Sequence, residues 1–349
     1  MEAQFTRKLL RWNQEKNNRQ MPWKGEKDPY RIWLSEVILQ QTRVEQGWSY
    51  YNNFLKKYPD ITKLAKAPDQ EVFKLWEGLG YYNRCRNLLF TAREIVAERN
   101  GIFPDTYEEI LALKGVGPYT AAAISSFAYD LPHAVVDGNV FRVLSRFFGI
   151  DIPIDSLKGK QVFTELAQKV LDPKQPGIFN QAIMDFGAMV CKPAAPACSS
   201  CPLKPYCKAY ASGRVNQLPV KEKNLQRKTR WFYYFLFEVK GSVCVHQRTA
   251  KDIWQNLNEF YLFEVDEQQA WDQQSVDNWL REQMGLKGAH SVEVSPLYIQ
   301  QLTHQRIKGR FIRIALDAKP PFLHSYKWQP VHRLRELPFP RFITQYLDK

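Results

Sequence analysis

Long hydrophobic runs are absent from this chain of 349 residues, and acidic residues are few relative to basic ones. No apolar stretch approaches the roughly 18 residues that a membrane-spanning helix needs, and the first residues do not resemble a signal peptide. Internal repeats and low-complexity tracts are also missing. We therefore expect a soluble protein with no membrane partner, and we place it in the cytoplasm as a monomer.

The shortage of acidic residues leaves the chain strongly basic. Lys and Arg number 49 against 36 Asp and Glu, which gives a formal net charge of +13 and a pI near 9.3. A surplus of this size usually marks a polyanionic partner, of which nucleic acid is the commonest. On charge alone, a basic surface that merely contacts solvent remains the alternative.

Cysteine is scarce too, yet four of the six cysteines lie in one short stretch with the spacing C-x6-C-x2-C-x5-C. Four thiolates can hold a zinc ion or a [4Fe–4S] cluster. Disulfides suit small secreted domains, and zinc sites usually contain two C-x2-C pairs rather than one. The pattern favours an iron–sulfur cluster in a reducing compartment, with the ligands Cys191, Cys198, Cys201 and Cys207.

The chain divides into two regions of different character. Residues 213–230 are basic and poor in apolar side chains, which is typical of an exposed linker. Before them, apolar residues recur at helical spacing in 32–44, 69–76, 86–97, 106–113, 118–128, 138–148 and 178–190. After them come strand patterns on both sides of a turn at 240–242, further strands at 259–265 and 310–316, and a helical pattern near 270–284. We predict a multidomain protein with an all-α domain (1–212), a basic linker (213–230) and a small α+β domain (231–349).

A Gly-x-Gly turn at Gly115 and Gly117 precedes a helical pattern within the segment 113–123, LKGVGPYTAAA. Such a turn leads into a helix N-terminus, where free N–H groups and the helix dipole favour an anion. A hairpin of this kind can hold a DNA phosphate without reading the base sequence. Many helix–helix turns also need glycine, but the whole pattern in a basic helical chain favours phosphate binding.

Two carboxyls, Glu36 and Asp137, have contrasting surroundings in the sequence. Asp137 opens a helical pattern, so it is a natural N-cap, and the helix dipole would keep it ionised to stabilise a positive centre. Glu36 has the mostly apolar helical neighbours Ile32, Trp33 and Leu39, which would raise its pKa as a general acid requires. From this helix alone, a solvent-facing glutamate is the simpler interpretation. As a pair, the two suit acid-assisted glycosidic cleavage.

Specific motifs follow one another along the chain: LSEVILQQTRV at 34–44, GLGYYNR at 78–84, the segment 113–123, VDGNVFRV at 136–143, and the cysteine quartet. With these motifs the chain resembles the helix-hairpin-helix DNA glycosylases that carry a [4Fe–4S] cluster, and among them the adenine DNA glycosylases of the MutY type. The resemblance spans nearly the whole length. It implies an all-α glycosylase core with an iron–sulfur loop at 191–207, followed by a Nudix-like domain.

Tyr119 separates the close relatives within this superfamily. In the endonuclease III branch a lysine occupies this hairpin position and attacks the sugar, whereas a phenol cannot form that imine. The resemblance thus implies a monofunctional glycosylase in base excision repair, bound to double-stranded DNA at the nucleoid, that removes adenine mispaired with 8-oxoguanine or guanine. The nearest alternative is an endonuclease III-like glycosylase/lyase for oxidised pyrimidines. A non-catalytic DNA-binding protein and an electron-transfer protein are more distant alternatives.

The resemblance also implies roles for individual residues. Glu36 would protonate adenine N7, and Asp137 would stabilise or trap the C1′ cation while Asn139 and Tyr119 order the site and its water. The adenine must first be flipped out of the base stack. The adenine pocket would be lined by Arg19, Met21 and Trp23. The residues around the facing 8-oxoguanine would be Gln41, Thr42, Leu79 and Tyr81.

The C-terminal domain resembles the Nudix-like module of these enzymes but lacks the full acidic helix block of Nudix hydrolases, so we expect no nucleotide hydrolysis. Thr303 and His304 are only an approximate counterpart of the family's 8-oxoguanine-checking loop. Lys24 stands where many members have arginine. A sliding-clamp contact is compatible with this class of enzyme, but no motif in the sequence demonstrates it.

Overall fold

The computed structural model describes residues 1–222, 227–286 and 291–349. The predicted linker includes residues 223–226, which lie outside these ranges. The chain forms two compact units. The helical unit comprises Met1–Lys66 and Arg86–Lys223, and the C-terminal unit comprises Ala67–Cys85 and Asn224–Lys349. Residues 67–85 thus pack with the C-terminal unit, although the sequence analysis places them in the first domain.

The first 222 residues contain only helices as regular structure. They are α1 (Glu2–Lys16), α2 (Pro29–Leu39), α3 (Val44–Lys57), α4 (Ile61–Ala65), α5 (Asp69–Trp76), α6 (Asn83–Arg99), α7 (Tyr107–Ala112), α8 (Pro118–Ala128), α9 (Gly138–Phe148), α10 (Leu157–Val170), α11 (Pro176–Met189) and α12 (Lys208–Ala211). Proline stands in the first turn of α2, α8 and α11, where its missing N–H costs nothing. None of the helices in the described ranges is long and apolar enough to cross a membrane.

The core of the helical unit places the chemistry-bearing helices next to one another. Apolar side chains of α1, α8, α9, α10 and α11 form one continuous buried cluster, with Phe5, Leu144, Phe163 and Phe186 among its members. Every residue of α2 from Ile32 to Ile38 is buried, and the helix packs against α8. A helix segment that is buried all round exposes no face to water, so an ionisable group within it is desolvated.

The C-terminal unit is built on an eight-stranded mixed sheet with the main strand order β3-β2-β1-β7-β5. Its strands are β1 (Lys228–Val239), β2 (Ser242–Gln247), β3 (Asn258–Glu259), β4 (Tyr261–Val265), β5 (Ser291–Val294), β6 (Tyr298–Gln301), β7 (Gln305–Ala315) and β8 (Lys327–Pro330). The central pair β1 and β7 is parallel, with Tyr233 opposite Arg310, and β1 begins inside the predicted linker. In the described ranges after residue 227, the α-helices are α13 (Gln273–Met284) and α14 (Arg341–Leu347), and short 3-10 helices lie at Pro321–Leu323 and Val331–Glu336.

Candidate active site and DNA-contacting residues

Glu36 lies in the buried interior of α2, not on a solvent-facing surface. The residue is 6% exposed. The phenol of Tyr119, in the first turn of α8, is a hydrogen-bonding neighbour of its carboxyl and also lies 3.5 Å from the Sδ of Met184. Burial, with a smaller effect from the nearby Asp137 carboxylate, raises the pKa of Glu36 to about 7, and the Tyr119 hydrogen bond opposes this rise. A carboxyl with such a pKa is about half protonated near neutral pH, as a general acid requires.

Asp137 is the N-cap of α9 and accepts two hydrogen bonds at the start of that helix. Its Oδ1 accepts the backbone N–H of Val140 at 2.8 Å, and its Oδ2 accepts the side-chain amide of Asn139 at 2.7 Å. Burial nevertheless raises the pKa of Asp137, against the effect of these hydrogen bonds. The helix start therefore does not lower the pKa of this carboxyl, because the loss of water outweighs the groups that favour its charge.

Arg142, one turn further along α9, holds the side chain of Asn139 by a hydrogen bond. Its Nη2 donates to Asn139 Oδ1 at 2.7 Å and to the carbonyl of Gly187 at 2.8 Å, while its Nε donates to the carbonyl of Cys191 at 2.7 Å. Position 187 has to be glycine, since a Cβ there would lie 2.6 Å from the Cβ of Asn139. A hydrogen-bonded chain thus links Asp137 to the start of the cysteine loop.

A cavity of about 520 Å³ opens onto Glu36, a size within the usual range for small-molecule sites. Trp23, Lys24 and Gln181 also border it. Of the predicted pocket residues, Trp23 therefore lies in the cavity wall, whereas Met21 is buried close by and does not border the cavity. The wall combines apolar surface with a few polar groups, which suits a planar heteroaromatic base.

The wall of this cavity is fixed by a fully buried carboxylate, Asp185, on α11. It accepts hydrogen bonds from Asn17 Nδ2 (2.8 Å), Arg19 Nη1 (2.8 Å), Lys24 Nζ (3.3 Å) and Gln181 Nε2 (3.0 Å). Arg19 is thus held by Asp185 through its guanidinium. A buried carboxylate that accepts from two cations and two amides holds them in fixed positions.

The hairpin between α7 and α8 has the geometry that a phosphate site needs. Gly115 has φ +81°, and a Cβ there would lie 2.7 Å from the side chain of Asn87, so glycine is required. Gly117 caps α8 without a side-chain hydrogen bond, and its Cα faces open space. Lys114, beside them, lies over the ring of Phe90 at 3.9 Å. The first N–H groups of α8 and one lysine are available to an anion.

Gln41 and Tyr81 both have left-handed backbone conformations, with φ values of 58° and 49°, which few non-glycine residues adopt. Both side chains are exposed. Thr42 is partly buried and donates its N–H to the carbonyl of Leu39 at 3.0 Å. Exposed residues held in such conformations are often part of functional sites.

The C-terminal unit brings two of the predicted lesion-contacting residues together, because the hydroxyls of Tyr81 and Thr303 are hydrogen-bonded. His304 is exposed, and its carbonyl accepts the N–H of Lys228 at 3.1 Å. Leu79 is only 7% exposed, so this conformation does not present its side chain to an opened base stack.

Comparison with known proteins identifies the family. The model of the HhH-GPD superfamily of base excision DNA repair proteins matches residues 34–173, and that of the NUDIX domain matches residues 233–349. An adenine DNA glycosylase of Buchnera aphidicola subsp. Baizongia pistaciae is 36% identical over 259 residues, which are 72% of this chain and 72% of the relative. The chain belongs to the adenine DNA glycosylase family.

Other relatives agree with this assignment. The adenine DNA glycosylase of Homo sapiens is 44% identical over 224 residues, which are 61% of this chain and 41% of that protein. A thermostable thymine-DNA glycosylase has a similar structure, with a TM-score of 0.56 and 30% identity over 60% of this chain and 97% of that one. An endonuclease III bound to DNA shares the fold at 21% identity, with a TM-score of 0.52 over 61% of this chain and 98% of that one. The predicted family, fold class and type of enzyme, a base-excision DNA glycosylase, are confirmed.

In this adenine DNA glycosylase family member, the cysteine quartet borders one small cavity of about 30 Å³. Arg146 lies beside it and donates to the Sγ of Cys191 at 3.5 Å. Burial raises the pKa of the Cys201 thiol to about 11, and the neighbouring cysteines add to this rise. Within the described residues, no group of His, Cys, Asp or Glu side chains is arranged to hold a single metal ion. The four thiols border one shared space, and this donor set fits a group that takes four sulfur ligands.

Three residues of the site were given no role from the sequence. Asp185 and Gln181 lie in a helix whose pattern indicates only core packing, and Arg142 lies in the motif 136–143 without a role of its own. Their roles come from contacts between α9, α11 and the segment before α2. A polar residue at a core-facing position of a helix is the signal that could have found Asp185, because a buried carboxylate needs several donors.

Proposed function

We propose that this member of the family hydrolyses the N-glycosidic bond of adenine mispaired with 8-oxoguanine or guanine in double-stranded DNA. The observation that carries the proposal is Glu36, a buried acid with a pKa of about 7 on the wall of a cavity of about 520 Å³. It adjoins a second carboxyl, Asp137, at the N-terminus of α9. Two interacting carboxyls in different surroundings are the arrangement used for acid-assisted glycosidic cleavage.

Glu36 acts as the general acid. The flipped-out adenine enters the cavity, and the protonated carboxyl of Glu36 donates its proton to N7, which turns the base into a neutral leaving group. The phenol of Tyr119 holds the carboxyl in place. After donation, the Glu36 carboxylate is a buried negative charge beside Asp137, which is unfavourable. Glu36 therefore gives up its proton only as the glycosidic bond weakens.

Asp137 acts on the sugar. As the bond breaks, positive charge develops at C1′, and a nearby cation favours the ionised form of a carboxyl whose pKa burial has raised. Ionised Asp137 stabilises or transiently traps this cation. Its orientation is set by the hydrogen bond from Asn139, which Arg142 holds in turn. Water then completes the hydrolysis.

Tyr119 limits the reaction to base removal, because its phenol supplies no amine that could form an imine with the opened sugar. The product is an abasic site in an intact strand. The hairpin at Gly115 and Gly117 would hold a backbone phosphate near the flipped nucleotide. Gln41, Thr42, Tyr81, Thr303 and His304 are the proposed contacts to the base opposite.

The same proposal assigns Cys191, Cys198, Cys201 and Cys207 as ligands of a [4Fe–4S] cluster. When bound, such a cluster would cross-link the loop through four iron–sulfur bonds and leave no ligand position open for substrate. Arg142 and Arg146 hold the carbonyls of Cys191 and Lys192, so the loop is anchored to α9. We place the protein at cytoplasmic DNA, as a monomer.

Three end-labelled duplexes test the proposal, with adenine placed opposite 8-oxoguanine, guanine or thymine. We expect strand cleavage only after treatment with hot alkali, and only for the first two duplexes. Cleavage without alkali, together with a high-yield adduct trapped by borohydride, would instead indicate a glycosylase/lyase. Equal processing of adenine opposite thymine would contradict the mispair specificity.

A further inference from the structure

The base cavity continues beyond the reacting groups. It borders Glu36 but neither Asp137 nor Tyr119, although both are electrostatic neighbours of Glu36. If Asp137 faces C1′, as the proposed function requires, the nucleotide enters from the side of Asp137. The base then reaches past Glu36 into the cavity from that side, while the sugar stays outside the cavity beside Asp137.

This cavity adjoins a second, wider one. The second cavity has a volume of about 1030 Å³ and lies between α1 and the region where α10 ends and α11 begins. Three residues border both cavities: Asn13, Gln175 and Ile178. Ile178 is 52% exposed, so the junction is open to solvent and is not sealed by packed side chains.

The chemistry of the junction suits a neutral, planar, hydrogen-bonding molecule. Asn13 and Gln175 offer amide groups, and Ile178 offers apolar surface. The outer groove has charges of both signs, with Glu2 and Asp172 as well as Arg7, Arg11 and Lys169 in its wall. A groove that carried the DNA backbone would be predominantly basic. A released purine base carries no net charge and meets no strong field here.

We propose that the junction of Asn13, Gln175 and Ile178 is an exit through which the excised purine leaves while the abasic DNA remains bound. The inference rests on the proposed function, since it assumes that a base is excised in the cavity at Glu36. It adds that the two products leave by separate routes. The DNA would leave on the side of Asp137, and the free base would leave past α1 and α11.

A doubly labelled duplex tests the order of product release. Its mispaired adenine carries tritium, the strand carries ³²P, and the wild-type enzyme is in excess for a single turnover. At each time the mixture passes through a nitrocellulose filter, which retains the protein and whatever it holds. We expect the ratio of tritium to ³²P on the filter to fall as fast as alkali-labile sites appear, because the base leaves a complex that still holds DNA.

Ile178→Trp places an indole in the opening and supplies the decisive comparison. For this variant we compare the time that tritium stays on the filter with the time that alkali-labile sites take to form. This ratio should be at least about tenfold larger than in the wild type. Gln175→Trp provides a second obstruction from the other wall. Ile102→Trp is the matched control, since Ile102 is 72% exposed and borders neither cavity.

Each outcome decides the question. Tritium that stays with the wild-type complex until the DNA dissociates overturns the exit route, as does equally fast loss in the wild type and both obstructed variants. A wild-type enzyme that forms no alkali-labile sites would contradict the proposed function itself, independently of the exit route.

Discussion

The helical unit and the C-terminal unit both bury ionisable side chains, but they surround them differently. In the C-terminal unit, Arg230 contacts Asp252 at 2.7 Å and Glu264 at 2.6 Å, and Arg248 pairs with Glu259. In the helical unit, Glu36 has a phenol and a second carboxyl as its electrostatic neighbours. Burial alone therefore does not indicate chemistry. The sign of the neighbouring charge distinguishes a structural pair from a reactive acid.

The same contrast exists inside the helical unit. Asp185 is fully buried and accepts hydrogen bonds from two cations. Glu36, which borders the same cavity as the Asp185 partners Lys24 and Gln181, has a raised pKa. The unit thus uses one carboxylate to hold the cavity wall and another to donate a proton.

Glu36→Gln tests this contrast with the largest expected effect. We expect the single-turnover rate to fall at least about 10³-fold, because an amide cannot donate the proton that makes adenine a leaving group. Binding to the mispaired duplex, measured by fluorescence anisotropy, should change little. The matched control is Glu264→Gln, the same chemical change in a carboxylate paired with Arg230, which should keep the wild-type rate. Equal loss in both variants would mean that position 36 is structural.

Glu259→Leu should instead affect stability. Removing Glu259 leaves the buried Arg248 with only the partly exposed Asp252 as its counterion, at a cost of about 3 kcal/mol. Amide hydrogen exchange along β1 would show faster opening in the variant. Glu293→Leu, at a side chain that is 76% exposed, is the control and should leave exchange in β1 unchanged. Unaltered exchange in Glu259→Leu would show that the pair contributes nothing to the sheet.

Arg142→Lys should lower the single-turnover rate on the order of tenfold, because lysine cannot hold Asn139, Gly187 and Cys191 at once and small displacements of reacting groups are costly. Arg11→Lys, at a 75% exposed side chain, serves as the control. The iron content of both purified proteins separates two explanations. A lower rate at full iron content indicates misplacement of Asn139, whereas parallel loss of iron and rate indicates damage to the cysteine loop.

The pH dependence of the rate gives the smallest and most specific effect. Glu36 must be protonated, so the single-turnover rate should be full below a pH of about 7 and fall tenfold per unit above it. Tyr119→Phe removes a hydrogen bond that favours the charged form, so the pKa of Glu36 should rise and the fall should move to higher pH. A shift to lower pH would contradict the assigned direction of that hydrogen bond.

Helix limits were predictable where the sequence marks both ends. The segments 69–76, 118–128 and 138–148 match α5, α8 and α9, each of which begins at a proline, glycine or aspartate cap. Helices α1 and α10 carry polar residues over much of their length and were not predicted. The packing of residues 67–85 with the C-terminal unit depends on contacts between distant segments, such as the backbone N–H of Phe339 with Glu77 at 2.9 Å. Periodicity contains no information on such contacts.

The site was predictable in its reactive residues and not in its supports. Glu36, Tyr119 and Asp137 come together because each follows a recognisable motif. Asp185 and Arg142 each have partners that are more than 40 residues away in the chain as well as local ones, and no local pattern indicates the distant contacts. Leu79 shows the reverse case, because its motif suggests contact with DNA while the fold buries it.

Gly187 contributes no side chain to the reaction, yet any other residue there would collide with Asn139. In a saturation-mutagenesis library selected for repair, this position should tolerate as few substitutions as the catalytic carboxyls do. Variants at 187 would then be misclassified as benign by any scheme that scores only chemical groups near the substrate. Mutations at this backbone position of α11 should therefore be selected against, although residue 187 supplies no reacting group.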